Sequence, residues 1–180
     1  IYGDEELLKL FERFAQRKTL FVVTQFDHPR ELTEQAKRAV RALTSRGVQV
    51  RNQTVLLRGV NDSPEVLGSL LSGLTRMGVS PYYVFQCRPV RGVQGRFQVP
   101  LAEGVDIVDG AKAMQNGIGK SIRYVMSHPR GKIEIIGRLP DSGETIFKFH
   151  QNKYPADSAQ IFTRRLSPTD TWLDEELNPV

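Results

Sequence analysis

The stretch Val48-Gln49-Val50-Arg51-Asn52-Gln53-Thr54-Val55-Leu56-Leu57-Arg58-Gly59-Val60-Asn61-Asp62-Ser63-Pro64 decides the fold. Valines at 48, 50 and 55 and the apolar close at Leu56-Leu57 read as a strand. Arg58 to Asp62 is a polar loop. Ser63-Pro64 then opens a helix, since the proline sits where its missing N–H costs no hydrogen bond. Val66, Leu67, Leu70, Leu71, Leu74 and Met77 follow at helical spacing, and Gly78 ends the stripe. The run Pro81 to Gln86 is the next strand. Strand, helix and strand in that order make a crossover unit, and such crossovers return the chain parallel to itself.

The same alternation continues on both sides. Upstream, Glu5 to Gln16 reads as a helix with Leu7, Leu8, Phe11, Phe14 and Ala15 on one stripe, and Leu20 to Gln25 as a buried strand. Thr33 can cap a helix that buries Ala36, Ala39, Val40 and Leu43 and stops at Gly47. Downstream, a basic loop from Cys87 to Pro100 leads to a weaker helix between Leu101 and Gln115, then to a strand at Ile122–Met126. Lys132–Ile136 and Thr145–Phe149 form a hairpin around the turn Pro140-Asp141-Ser142-Gly143. Four strands with three helical crossovers predict a parallel α/β sheet, either part of a barrel or a doubly wound sheet. Polar residues gather at the strand ends: Gln25 and Asp27, Arg58 and Asp62, Gln86 and Arg88, Ser127 and His128. In a barrel that rim is where active sites are assembled.

Composition narrows the function classes. A hydrophobic fraction of 39% and a charged fraction of 25% are those of an ordinary globular domain. No apolar run reaches membrane-spanning length. The one cysteine, Cys87, excludes an internal disulfide framework, points to a reducing cytoplasm, and cannot by itself hold an iron–sulfur cluster. The net charge of +5 is spread thinly, with Arg-rich spots at Arg88–Arg96 and Arg164-Arg165. A nucleic-acid surface would show a denser basic stripe with interleaved aromatics, so solvated surface is the preferred reading. The chain opens on Ile1 with no basic-then-apolar leader, which reads as an excerpt of a longer protein.

Three stretches carry a resemblance: Thr24-Gln25-Phe26-Asp27-His28-Pro29-Arg30-Glu31-Leu32-Thr33, Asn52 to Asp62, and Pro81-Tyr82-Tyr83-Val84-Phe85-Gln86-Cys87. In that order and spacing they are similar to signatures of the lysine 2,3-aminomutase family, radical S-adenosylmethionine enzymes that depend on pyridoxal phosphate. The resemblance runs from about Leu20 to Lys132. It implies the C-terminal part of a partial (β/α) barrel of TIM-like type with a C-terminal hairpin and polar tail: residues 1–137 a barrel half with cofactor-side loops, residues 138–180 the hairpin and tail. The tail is expected to pack over the barrel or against another subunit. It also implies an isomerase that moves an amino group between C2 and C3 of a small amino acid, through a pyridoxal phosphate imine and a radical drawn from S-adenosylmethionine. The family's cluster-binding Cys-x-x-x-Cys-x-x-Cys motif is absent, so the [4Fe–4S] ligands, and the missing N-terminal part of the same barrel, are expected before Ile1.

Residue by residue, Lys132 stands where the family has its Schiff-base lysine, after a shortened loop, Ser127-His128-Pro129-Arg130-Gly131. A partly desolvated loop amine suits that chemistry; the plainer alternative is an exposed lysine at the start of a strand. Gln53 matches a glutamine near S-adenosylmethionine, with an ordinary polar strand residue as the alternative, and Gln25 replaces a family histidine. Two substrate-binding aspartates of lysine-specific members correspond to Arg88 and Ser127, a change of charge that favours an acidic or neutral amino acid over lysine. The plainer reading of Arg88 is solvent exposure together with Arg91 and Arg96. Arg58 and Asp62 read as a structural pair, His28 as a turn-fixing residue, and His150 has no evident partner. No metal ligand is expected in this chain. Two other functions compete: a non-catalytic half-barrel used for binding or assembly, and a basic nucleic-acid-binding domain. Homo-oligomerisation stays open.

Overall fold

A computed structural model describes all residues, 1–180. Helix α1 (Glu5–Ala15) precedes strand β1 (Phe21–Thr24), and three units follow: α2 (Glu34–Thr44) and β2 (Gln49–Leu56), α3 (Pro64–Arg76) and β3 (Val79–Gln86), α4 (Leu101–Ala113) and β4 (Arg123–His128). Strands β5 (Gly131–Arg138), β6 (Thr145–Asn152) and β7 (Ile161–Arg164) complete a seven-stranded sheet in sequential order. Strands β1 to β4 are mutually parallel, as the alternation predicts, and β5 to β7 add on antiparallel.

The helix ends follow the sequence signals. Thr33 Oγ1 accepts from Ala36 N–H and Ser63 Oγ from Val66 N–H, so each cap satisfies a free donor of the first turn. Gly47 and Gly78 stop α2 and α3 with φ of +79° and +82°, a left-handed conformation that glycine adopts without a Cβ clash. Helix α1 departs from expectation, since only Leu8 of its stripe is buried and Phe14 is 47% exposed.

Strand β2 shows how the sheet is sided. Val50, Asn52, Thr54 and Leu56 are buried, whereas Arg51, Gln53 and Val55 are half-buried. Consecutive crossovers of one hand put the helices on one face, and the core joins Val50 and Leu56 to Leu67, Leu70, Leu71 and Leu74 of α3 and Val105 and Val108 of α4. Helix α4 approaches the sheet closely at Gly104, where a Cβ would overlap the Tyr124 hydroxyl and come within 2.9 Å of its ring carbon Cζ. Tyr124 is fully buried and donates to Gln86 Oε1, so it has nowhere to move. Gly104→Ala is therefore expected to destabilise the fold by about 1–3 kcal/mol, read as a lower urea midpoint with an unchanged slope.

The C-terminal region was expected as a hairpin and polar tail beginning at residue 138. That boundary falls inside β5. The last residues pack over the sheet, the first of the two placements expected for the tail: Trp172, Leu173 and Leu177 are buried in the same core as Ile133, Ile135, Phe147 and Phe149. These apolar side chains of the tail extend the cover of β5 and β6 beyond the reach of α4, which meets β5 through the Asp106–Arg138 pair. No helix is long and apolar enough to cross a membrane.

Candidate functional site

The carboxyl ends of the parallel strands share one rim, and buried amides shape it. Asn52 Oδ1 accepts from Phe26 N–H at 2.8 Å while its Nδ2 donates to Phe26 O at 3.0 Å. This clamps the turn after β1 that carries Gln25 and Asp27. Asn61 Oδ1 accepts from Leu57 N–H at 2.7 Å, and its Nδ2 donates to Asp27 O and Val55 O, both at 2.8 Å. Both amides are buried, and each satisfies backbone groups that a loop would otherwise leave unpaired. As expected, His28 fixes the next turn: its Nδ1 accepts from Arg30 N–H, and Glu31 reaches back to His28 N–H.

Between these turns and the loop after β3 lies a cleft of about 760 Å³. Gln25 and Asp27 line it from β1, Gln53 and Val55 from β2, Phe85 and Arg88 from β3, and Ser127 from β4, with Val90, Val93 and Phe97 closing it from the loop. Four of the five residues singled out from the sequence thus meet in one place. Arg88 is exposed, lines the cleft and forms no ion pair, whereas Arg91 and Arg96 of the same loop do not line it.

Lys132, the fifth, stands apart from the lining and is not on a loop. Pro129-Arg130 makes a tight turn, and Lys132 is already the second residue of β5, paired across the strands with Ser127. So short a connection makes β4 and β5 a hairpin, which carries the lysine onto the sheet. Its Nζ stands 4.7 Å from the centre of the Tyr83 ring and 5.6 Å from that of Phe85, and Phe85 is itself part of the cleft wall. The amine is therefore one side chain away from the cleft.

Asp27 is the cleft residue that the sequence reading left among the strand-end polars without a role. Its Oδ1 accepts from Val55 N–H at 2.7 Å and its Oδ2 from Gln25 Nε2 at 3.3 Å. Burial pushes its carboxyl above the usual carboxylate range, against those two hydrogen bonds. The folded state then holds the proton more tightly than the unfolded chain does. Asp27 consequently subtracts stability as pH rises through that interval. Asp27→Asn keeps an acceptor for Val55 and removes the charge. At pH 7 the variant is expected to melt above the parent, with the difference vanishing near pH 3, where Asp27 is neutral in both states; a lower melting temperature at pH 7 would refute the assignment.

Other rim residues are structural. Gln86 is buried, and its Nε2 donates to Val99 O and Thr171 O, both at 2.8 Å, tying the loop and the C-terminal segment to β3. His128 Nε2 lies 2.9 Å from Asp174 O and 3.2 Å from Leu173 O, while its Nδ1 accepts from Arg130 N–H. Carbonyls only accept, so the ring carries its proton on Nε2, and burial lowers its pKa. Arg58 meets Asp62 at 3.5 Å as expected, but its closer partner is Glu103 of α4, two contacts of 2.7 Å each from a residue 45 positions away. Burial raises the thiol pKa of Cys87, which disfavours its thiolate. No group of three or more His, Cys, Asp or Glu side chains is placed to hold a metal ion.

No family model matches the chain. Over 177 residues, 97% of its length, it is 38% identical to a protein of Aquifex aeolicus (strain VF5) whose name assigns it provisionally to L-lysine 2,3-aminomutase, covering 46% of that protein. It is 32% identical over 112 residues to glutamate 2,3-aminomutase of Clostridioides difficile (strain 630), covering 62% of this chain and 26% of the other. A radical SAM methyltransferase from Sphaerobacter thermophilus overlays on 66% of this chain and 38% of its own with a TM-score of 0.44 and 18% identity, a likeness too slight to argue from. The chain thus spans less than half the length of these relatives, and it is the C-terminal part of the aminomutases that it matches.

Proposed function

Starting from a chain homologous to the C-terminal part of the lysine 2,3-aminomutases of the radical S-adenosylmethionine family, we propose that it forms the pyridoxal phosphate and substrate side of an amino-acid 2,3-aminomutase, an isomerase acting in the reducing cytoplasm. The observation that carries this reading is the cleft itself. Gln25, Gln53, Arg88 and Ser127 converge on it from four successive parallel strands, and the Lys132 amine stands behind Phe85 in its wall. In the complete protein the sheet is then the C-terminal part of a partial (β/α) barrel.

The side chains fit part of the chemistry. Lys132 offers a primary amine as the covalent anchor of pyridoxal phosphate, and Val55, Phe85, Val90 and Val93 give the neighbouring cleft an apolar wall. Bound there, the cofactor supplies a carbonyl that takes up the migrating amino group. Gln25 and Gln53 present amides suited to the polar groups of S-adenosylmethionine, and Gln25 is held by its bond to Asp27. Arg88 offers a planar pair of donors to a carboxylate, and Ser127 a neutral hydroxyl. The set does not fit an iron–sulfur cluster, because one buried cysteine cannot replace three thiolates. No step through a cluster is assigned to this chain, and the cluster ligands belong to the remainder of the protein.

The test is product formation by the intact protein, reconstituted without oxygen with iron, sulfide, pyridoxal phosphate and S-adenosylmethionine. Incubation with glutamate, glutamine, alanine and lysine in turn is expected to yield a β-amino acid from an acidic or neutral member, detected by mass spectrometry after derivatisation. Absence of any β-amino acid, with the cluster and the cofactor both bound, would refute the aminomutase reading and favour a binding or assembly role.

A further inference from the structure

On the face of the sheet away from the helices, β3, β4, β5 and β6 bring Tyr83, Arg123, Lys132 and His150 together. The Tyr83 hydroxyl lies 2.7 Å from His150 Nε2, and Arg123 Nη1 lies 2.7 Å from His150 Nδ1. A guanidinium can only donate, so Nδ1 must accept, and the proton of a neutral ring must sit on Nε2. From there it donates to the Tyr83 oxygen. The surroundings agree: burial and then the Arg123 cation lower the His150 pKa, Lys132 and Lys148 add to this, and Glu134 opposes it. Tyr83 is 2% exposed, and its ring packs edge-on to His150 at 5.8 Å between centres. Its face stands 4.7 Å from Lys132 Nζ, a distance at which a ring attracts an ammonium.

These contacts form a chain in one direction. Arg123 sets the tautomer of His150, His150 holds the far end of the Tyr83 ring, and the Tyr83 ring holds the amine of Lys132. We infer that His150 is a positioning residue which fixes the Tyr83 ring and, through it, the place of the Lys132 amine beside the cleft. The hairpin strand β6 thereby becomes part of the site, although it lies beyond the three sequence stretches that end at Cys87. The inference rests on the reading of Lys132 as the cofactor's anchor, but its effect on the amine is measurable without the cofactor.

The experiment uses the intact protein in two arms. In the first, without pyridoxal phosphate, each lysine is ranked by competitive acetylation with acetic anhydride and peptide mapping. His150→Phe is expected to free the amine and raise the rate at Lys132 about threefold to tenfold, leaving Lys9 and Lys120 unchanged. His150→Gln, which offers an N–H toward Tyr83 and an oxygen toward Arg123, is expected to restore the parent rate. Tyr83→Phe, which keeps the ring and removes the hydroxyl, is expected to reproduce His150→Phe and decides the matter should His150→Phe alter every lysine by misfolding. Nitrogen-15 spectra of the parent are expected to show His150 protonated on Nε2. In the second arm, pyridoxal phosphate attachment is titrated, and His150→Phe is expected to weaken it about tenfold. Equal Lys132 rates in the parent and in both the Phe variants, or an Nδ1-protonated His150, would overturn the inference. Attachment of the cofactor elsewhere would overturn the anchor assignment instead, while the first arm still decides the role of His150.

Discussion

Lys132→Ala is expected to abolish covalent attachment of pyridoxal phosphate. In the intact protein, borohydride should fix the cofactor onto a single peptide containing Lys132, and the alanine variant should show neither that peptide nor any β-amino acid product. The argument is positional. Lys132 is paired with Ser127 on the neighbouring strand, and its amine lies over Phe85, which lines the cleft. Lys148 shares that face but stands one strand further away, opposite Glu134, and Lys120 belongs to the turn before β4. The substitution should leave the fold intact. Lys132 is half-buried and forms no salt bridge, and what is lost is its contact with two rings, on the order of 0.5–1 kcal/mol. Cluster assembly should be unaffected, since its ligands are assigned to another part of the protein. A labelled peptide carrying Lys120 or Lys148 would show that the match through the shortened turn is misplaced.

Arg88→Asp is expected to move substrate preference from acidic or neutral amino acids toward lysine. Arg88 follows directly on the stretch Tyr82 to Cys87, lines the cleft and has no carboxylate partner, so its charge is available to a ligand. Like charges set against each other in a poorly hydrated site cost several kcal/mol. Exchanging the cation for an anion should therefore change the ratio of turnover of lysine to glutamate by about a hundredfold or more, ~3 kcal/mol. The assay offers both amino acids together and follows both products. Arg91→Asp supplies the control, because Arg91 belongs to the same loop but not to the cleft, and it should leave the ratio unchanged. Efficient turnover of lysine by the parent, unmoved by Arg88→Asp, would place specificity on other residues. The names of the relatives allow either outcome, since both lysine and glutamate aminomutases are among them.

What was legible beforehand depended on how local the cause was. The four parallel strands were readable because apolar runs of strand length are separated by capped, glycine-stopped helices, and those signals lie within a few residues of each other. His28 was readable as a turn residue for the same reason, since its partners Arg30 and Glu31 are two and three positions away. Phe14 was not, because helical periodicity shows which residues share a face and not whether anything covers it. Arg58 was half readable: Asp62 is four positions along the chain, whereas Glu103 becomes a partner only when α4 packs beside the loop.

By itself the sequence determined the order of the elements, the parallel pairing of β1 to β4, and the rim of strand ends that carries Gln25, Arg88 and Ser127. Each follows from short-range chemistry, namely side-chain alternation, helix caps, and the rule that a helical crossover returns the chain parallel to itself. Lys132 was readable as the opening of a hairpin strand, but only the tertiary structure decided that its amine lies over Tyr83 and Phe85. It also decided that the half-buried Asp27 accepts from Val55 N–H, and that His150, which had no evident partner in the sequence, stands between Tyr83 and Arg123. Those contacts join residues up to 67 positions apart. They depend on strand register, in which a slip of one residue turns every side chain to the opposite face, and on the packing of strands that are distant in the chain.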